Sequence, residues 1–253
     1  MLEIYYDDSG THSANGVVVW GGVAGHTQYL NEFKQAWGKL LMAPCEGKPP
    51  IKKFSSYDLF HAKKEFEGYN EAERNLTRRN FRQVIVDAGL SVLSYGISAG
   101  DWDELIIGIG RAALRSPETT ILSLAIKGGC DCGVAEGSPV AFVFDAGCSE
   151  RADIPLSFKN GVASSDIDPD KVSYDVSPVL GNAALQAADL VAHETYQMFM
   201  KYQASGDVVP SAHLQRLRSG VHDFHAKWVG RHEIEKLVAR SAEMLTELGV
   251  SET

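Results

Sequence analysis

Apolar positions first recur along the chain with a period of two. Residues 2–7 alternate as a strand does, and a turn runs from Asp8-Ser9-Gly10 to Gly16. The run "GVVVWGGVAG" that follows is rich in β-branched and aromatic residues, so the two segments read as a hairpin. The period then changes. In "TQYLNEFKQAWGKLL" the apolar residues Leu30, Phe33, Ala36, Trp37 and Leu40 keep helical spacing, and Pro49-Pro50 ends the connection behind them. "IKKFSSYDLFHAKKEF" fits a short strand followed by a turn or helix that starts near His61. Residues 70–88 read as a helix carrying Arg74, Arg78, Arg79 and Arg82, and "LSVLSYGIS" reads as a strand. Asp101 followed by Glu104 has the look of a capping box. Ser116-Pro117-Glu118 supplies an N-cap, a first-position proline and a first-turn acid for a helix over roughly 117–127.

"PVAFVFDAG" at 139–147 is a short, nearly continuous apolar run ending in Asp145, the pattern of a strand covered on both faces. Residues 146–170 are polar with loop signals, and "KVSYDVS" at 171–177 alternates again. A long helix follows over about 182–203, with further helical segments near 211–226 and 231–248. A hairpin followed by helices alternating with single strands predicts a mixed α/β sheet with helices on both faces. The expected organisation is one domain over residues 1–253, with helical insertions at about 27–88 and a helical extension at about 205–253.

Composition narrows the picture modestly. The 253 residues are 44% hydrophobic, enough for a sizeable core. No apolar run approaches the roughly 20 residues that span a bilayer, and the first residues lack the basic and apolar regions of a secretory signal. Together with four cysteines that read as reduced thiols, this predicts a cytoplasmic protein with no membrane partner. Cys130 and Cys132 are too close for a zinc half-site, and no second pair completes one. A net charge of −9 is not that of a chain coated for non-specific nucleic-acid binding, although it leaves room for a local basic patch.

The candidate chemistry sits at predicted strand ends. Asp7 ends the first strand, Asp145 ends the apolar one, and Asp189 lies early in the long helix. In open α/β sheets ligands bind outside the carboxyl ends of strands, so the three acids can converge. Converging carboxylates repel unless they share a proton or hold a cation, and hard oxygen donors favour Mg²⁺. Two such ions can activate a water and stabilise a leaving oxygen in phosphodiester cleavage. The plainer readings stay open: Asp7 and Asp8 suit a turn, and Asp145 suits a cap. Strand alternation puts Asp7 and Asp8 on opposite faces, so one of them enters a site.

Stepped at 100° per residue, Asn182, Gln186, Asp189, His193 and Gln197 form a narrow polar stripe on the long helix. A solvated face is the alternative, but such a face usually carries Lys, Glu or Arg. Ala183, Ala184, Ala187, Ala188 and Ala192 would let this helix sit close to a sheet. His61 has a pKa suited to proton transfer. Lys52, Lys53, Lys63 and Lys64, with Arg78, Arg79 and Arg82, are the densest basic stretch and could hold a phosphate backbone. No Gly-rich phosphate loop with its Lys-Ser/Thr and no G-x-S-x-G elbow is present, and Cys148 lacks an evident basic partner.

Four segments, "YYDDSG", "FHAKKEF", "FVFDAG" and "LQAADLVA", occur in the order of the motifs of the uncharacterised family called domain of unknown function 3800, which the chain resembles over residues 4 to 192. The resemblance implies an RNase H-like fold and a metal-dependent nuclease, in some members linked to phage defence. It implies Mg²⁺ or Mn²⁺ on Asp7, Asp145 and Asp189, with His61, Asp8, Ser9 and Gln186 as neighbours. Asp8 stands where the family usually has Glu, and a fourth carboxylate has no clear match, Glu65 and Asp153 being the options. The reading that results is a nuclease acting on RNA or DNA, with His61 or His193 shuttling a proton. One alternative is a non-catalytic module of the same fold that binds nucleic acid or a protein. Another is a hydrolase of small phosphoesters. The sequence leaves self-association and protein partners open.

Overall fold

The computed structural model describes residues 1–10, 16–107, 114–150, 152–206 and 212–247. The predicted turn after Gly10 lies partly outside them. The hairpin is present: β1 (Leu2–Ser9) runs antiparallel to β2 (Val17–His26), with Asp7 opposite Gly21. β3 (Ser91–Ser98) adds antiparallel to β2. β4 (Val140–Asp145) lies parallel to β1, and β5 (Val172–Ser177) lies parallel to β4 at one edge. A sixth strand, β6 (Phe224–Val229), pairs parallel to β3 at the other edge. The order β5-β4-β1-β2-β3-β6 is the mixed sheet expected, with its antiparallel hairpin first and its later strands separated by helices.

The helix expected over 211–226 is present only as far as Gly220, and β6 takes the place of its last residues. Its residues alternate, and Trp228 packs its ring 4.7 Å from Phe199 and 5.9 Å from Tyr202. Six residues of period two between two helical segments are too short a signal to stand out.

The helices cover both faces. On one side lie α1 (Thr27–Met42), α2 (Ser56–Phe60) and α3 (Glu71–Asp87). On the other, α4 (Ala99–Leu105) follows β3 directly, capped by the Ser98 hydroxyl, which accepts from the Asp101 amide at 3.2 Å. Asp101 is therefore a first-turn acid and not the cap, because the strand's last serine is already placed to do that work. α5 (Pro117–Glu136) starts at the predicted Ser116 cap but continues well past 127. Its glycines are contact points: a Cβ at Gly129 would lie 2.6 Å from the Phe142 ring, and one at Gly133 would lie 2.2 Å from Val140. The stretch over 146–170, expected as loop, contains α6 (Ile154–Ala163), whose cap is Asp153. α7 (Ala183–Ser205), α8 (Ala212–Gly220) and α9 (Arg231–Glu247) complete the described chain.

The sheet thus separates two cores. Ile4, Tyr6, Trp20 and Phe144 face α5, while Tyr5, Val19, Trp37 and Leu190 lie on the side of α1, α3 and α7. α7 lies closest to the sheet at Gly21, where a Cβ would fall 2.3 Å from the Ala192 amide nitrogen. The small residues predicted to allow such an approach include that alanine. No helix of the described residues is long and apolar enough to cross a membrane.

Candidate metal centre

Parallel pairing brings the first two acids together. β1 and β4 are in register as far as Tyr6 opposite Phe144, so Asp7 and Asp145 are the next residues on adjacent strands, both at carboxyl ends. Their carboxylate oxygens and the Cys148 sulfur all lie within 4.8 Å of one another. Asp7 shares the face of Tyr5, toward α7; Asp8 shares that of Tyr6, toward α5. Cys148 reaches both, its Sγ lying 2.8 Å from Asp8 Oδ1 and 3.4 Å from Asp7 Oδ1.

Asp189 approaches from α7. Its Oδ2 accepts a 2.6 Å bond from the Ser56 amide, which ties α7 to the start of α2. Asp145 is fixed by two amides, Val179 to Oδ1 at 3.0 Å and Gly147 to Oδ2 at 3.2 Å. The Asp8 amide donates to Asp7 Oδ1 at 2.8 Å. These bonds hold the carboxyl groups in place against their mutual repulsion.

That repulsion shows in the proton affinity of Asp7. Burial, then the charges of Asp189, Asp8 and Asp145, push the Asp7 carboxyl well above the usual range. Burial raises Asp189 to about 6, with the Ser56 bonds and the Lys53 charge pulling the other way. Burial and the neighbouring carboxylates keep Cys148 a thiol, so it is a hydrogen-bond donor here and not a nucleophile.

No family model matches the chain, and no curated protein matches it. Among solved structures the chain is similar to Bst-RNase HIII in complex with Mn²⁺, at 12% identity and a TM-score of 0.46. The likeness covers 88% of this chain and 63% of that one, so the chain spans less than two thirds of that protein.

The other residues singled out in the sequence have separate places. Gln186, only 1% exposed, is a tie between segments: its Oε1 accepts from the Phe54 amide at 2.8 Å and the Trp37 indole at 3.1 Å, and its Nε2 donates to the Val179 carbonyl at 3.3 Å. Gln186→Leu leaves two buried donors unmatched. The expected loss is about 2–6 kcal/mol, at about 1–3 per donor, read by urea denaturation. Asn182 is the cap of α7, accepting from Ala184 and Leu185. Ser9 closes β1 opposite Val19.

His61 caps the C-terminus of α2 and opens the turn expected there, while the short strand expected before it is absent among the described residues. It is exposed. His193 is buried, and its Nε2 has no hydrogen-bond partner. Burial, then the charges of Arg78 and His61, lowers it to about 4, so it is neutral near pH 7.

The basic stretch is partly engaged. Lys64 pairs with the buried Asp58 at 3.1 Å, Arg78 approaches Glu194 at 3.6 Å, and Lys63 donates to the Tyr57 hydroxyl at 3.0 Å. The Lys52 and Lys53 amides donate to Glu65, and Asp153 caps α6, so both acids considered for a fourth carboxylate have structural work.

Sequence reasoning missed Ser56, Asp58 and Cys148. Ser55 accepts from the Asp58 amide, so a cap pattern was there to be read in S-S-Y-D. Nothing local announced the bond from Ser56 to Asp189, 133 residues away.

Proposed function

We propose that the chain is a divalent-metal-dependent phosphodiesterase that cleaves RNA or DNA. The observation that carries this reading is the meeting of Asp7 and Asp145 at adjacent strand ends, close enough to Asp189 on α7 for its charge to help push the Asp7 carboxyl up. A divalent cation relieves the same repulsion. Asp7, Asp145 and Asp189 offer hard oxygens suited to Mg²⁺ or Mn²⁺. Cys148, a protonated thiol that donates to Asp8, does not suit a hard cation and takes no part in holding it. When bound, the ion would supply a water acidic enough to act at neutral pH and charge to offset the leaving oxygen.

The chain's own residues do the rest. Ser56, Val179 and the Asp8 amide fix the three carboxylates, so they are preorganised before any ligand arrives. Lys53, whose charge reaches Asp189, is placed to hold a phosphate beside them. Exposed His61 suits the proton shuttle better than His193, which burial holds neutral. The motifs that resemble the domain of unknown function 3800 support the same assignment at Asp7, Asp145 and Asp189.

The test is cleavage of end-labelled single- and double-stranded RNA and DNA with Mn²⁺, Mg²⁺ or EDTA. Asp189→Asn is expected to stay folded and to lose both metal binding and metal-dependent cleavage. Retained metal affinity in that variant counts against the reading. Binding without turnover, indifferent to chelator, would favour a non-catalytic module; turnover of mononucleotides alone would favour a small-phosphoester hydrolase.

A further inference from the structure

Residues 57–61 expose a run of rings beside the carboxylates. Tyr57 is 53% exposed and Phe60 44%, and His61 is exposed as well, while α2 buries Leu59. The rings touch in sequence: Tyr57 to His61 at 4.5 Å between centroids, His61 to Phe60 at 5.1 Å, Phe60 to His193 at 5.5 Å. The line therefore runs from open surface to α7, ending one helical turn beyond Asp189. Cations lie over it. Lys63 Nζ is 4.8 Å from the Tyr57 centroid, and the Arg78 guanidinium carbon is 5.8 Å from that of Phe60. Ser56, at the start of the same short helix, donates its amide to Asp189.

We propose that Tyr57, Phe60 and His61 form a stacking platform for the bases of a single-stranded nucleic acid whose backbone passes to the carboxylates. The proposal takes its location from the phosphodiesterase reading. Tyr57 and Phe60 belong to neither core, and with 53% and 44% of their surface open they leave part of each ring within reach of a flat ligand. Bases in a duplex already stack on one another; unpaired bases have faces free to meet a ring. The cations choose among flat ligands. In a chain of net charge −9, Lys63 stands at these rings and the charge of Lys53 reaches Asp189, which suits a polyanion threaded between stacked bases, while Arg78 is shared with Glu194. Stacking reads no sequence, so the platform selects strandedness and not base identity.

The test measures binding in EDTA, so that absence of cleavage leaves it intact. Anisotropy of short labelled RNA and DNA oligonucleotides, single-stranded and in matched duplexes, is followed with the full chain. Single strands are expected to bind more tightly than duplexes. Tyr57→Ala and Phe60→Ala should each weaken single-strand binding about 5- to 150-fold, with duplex affinity unchanged. Tyr57→Phe and Phe60→Trp should restore it, and circular dichroism should show all four variants folded. Duplex binding as tight as single-strand binding overturns the proposal. So does wild-type affinity in the ring variants when Lys63→Ala alone weakens it, since that is backbone attraction without stacking. Loss of metal-dependent cleavage in Asp189→Asn with normal platform binding separates the two readings.

Discussion

In EDTA at pH 8 the Asp7→Asn protein is expected to melt above the wild type, with the difference closing as the pH falls toward 4. The wild-type chain holds Asp7 among the charges of Asp189, Asp8 and Asp145, while asparagine keeps an oxygen to accept from the Asp8 amide. A carboxyl whose affinity for protons is raised on folding binds more protons folded than unfolded. Its contribution to stability is full below the unfolded value of about 4 and is lost as pH rises through the folded one. For Asp189 that loss is nearly complete once the pH passes about 6, and Asp7 shifts in the same direction. The wild type therefore weakens between about pH 4 and pH 7, and Asp7→Asn escapes its share. Mn²⁺ reverses the order. At a hundred times its dissociation constant it adds about 2.7 kcal/mol, about 5–11 °C for a chain of this size, to the wild type at pH 8. It adds far less to Asp7→Asn. Thermal scans at both pH values, with and without Mn²⁺, check this. An equal gain from Mn²⁺ in both proteins would mean that Asp7 holds no cation, and a wild type that melts higher in EDTA would mean that its charges are not in conflict.

This cluster of carboxylates was readable in part from the sequence. Strand periodicity located Asp7 and Asp145 at strand ends, and the parallel pairing of β1 and β4 then makes them neighbours. The polar stripe on α7 was visible too, but its members do different work: Asn182 caps, Gln186 ties three segments, Asp189 faces the other acids and His193 is buried. Period alone gives a face; it does not say whether amides or water satisfy that face. β6 and the far end of α5 were missed for a related reason. An edge strand is decided by the strand it pairs with, and Gly129 and Gly133 look like breakers until Phe142 and Val140 lie against them. Cys148 read as a cysteine without a base, which was correct, but only the fold shows it donating to Asp8.

The close approach of α7 to the sheet at Gly21 gives the second large effect. Gly21→Ala is expected to remain folded, to lose about 1–3 kcal/mol and to cleave about a hundredfold more slowly. Gly21 lies opposite Asp7 on β2, and its added methyl would stand 2.3 Å from the Ala192 nitrogen, 2.4 Å from its Cα and 2.8 Å from its Cβ. Overpacking of this kind typically costs about 1–3 kcal/mol. Two of the three obstructing atoms are backbone, so no side chain can turn aside and α7 has to move. Asp189 is on that helix within one turn of Ala192, and a displacement of about 1 Å at a reacting group is enough to cost about a hundredfold. Ala192→Gly added to Gly21→Ala removes only the Cβ contact and should not restore the rate. Gly38→Ala is the control: it lies in α1 with nothing within 4 Å of its would-be Cβ, so it should stabilise by about 0.5–1 kcal/mol and leave cleavage unchanged. Wild-type melting and wild-type cleavage in Gly21→Ala would show that the sheet does not set the height of Asp189. A fall in rate larger than the fall in stability explains would show that the glycine in β2 positions an acid on a helix more than 160 residues further along the chain.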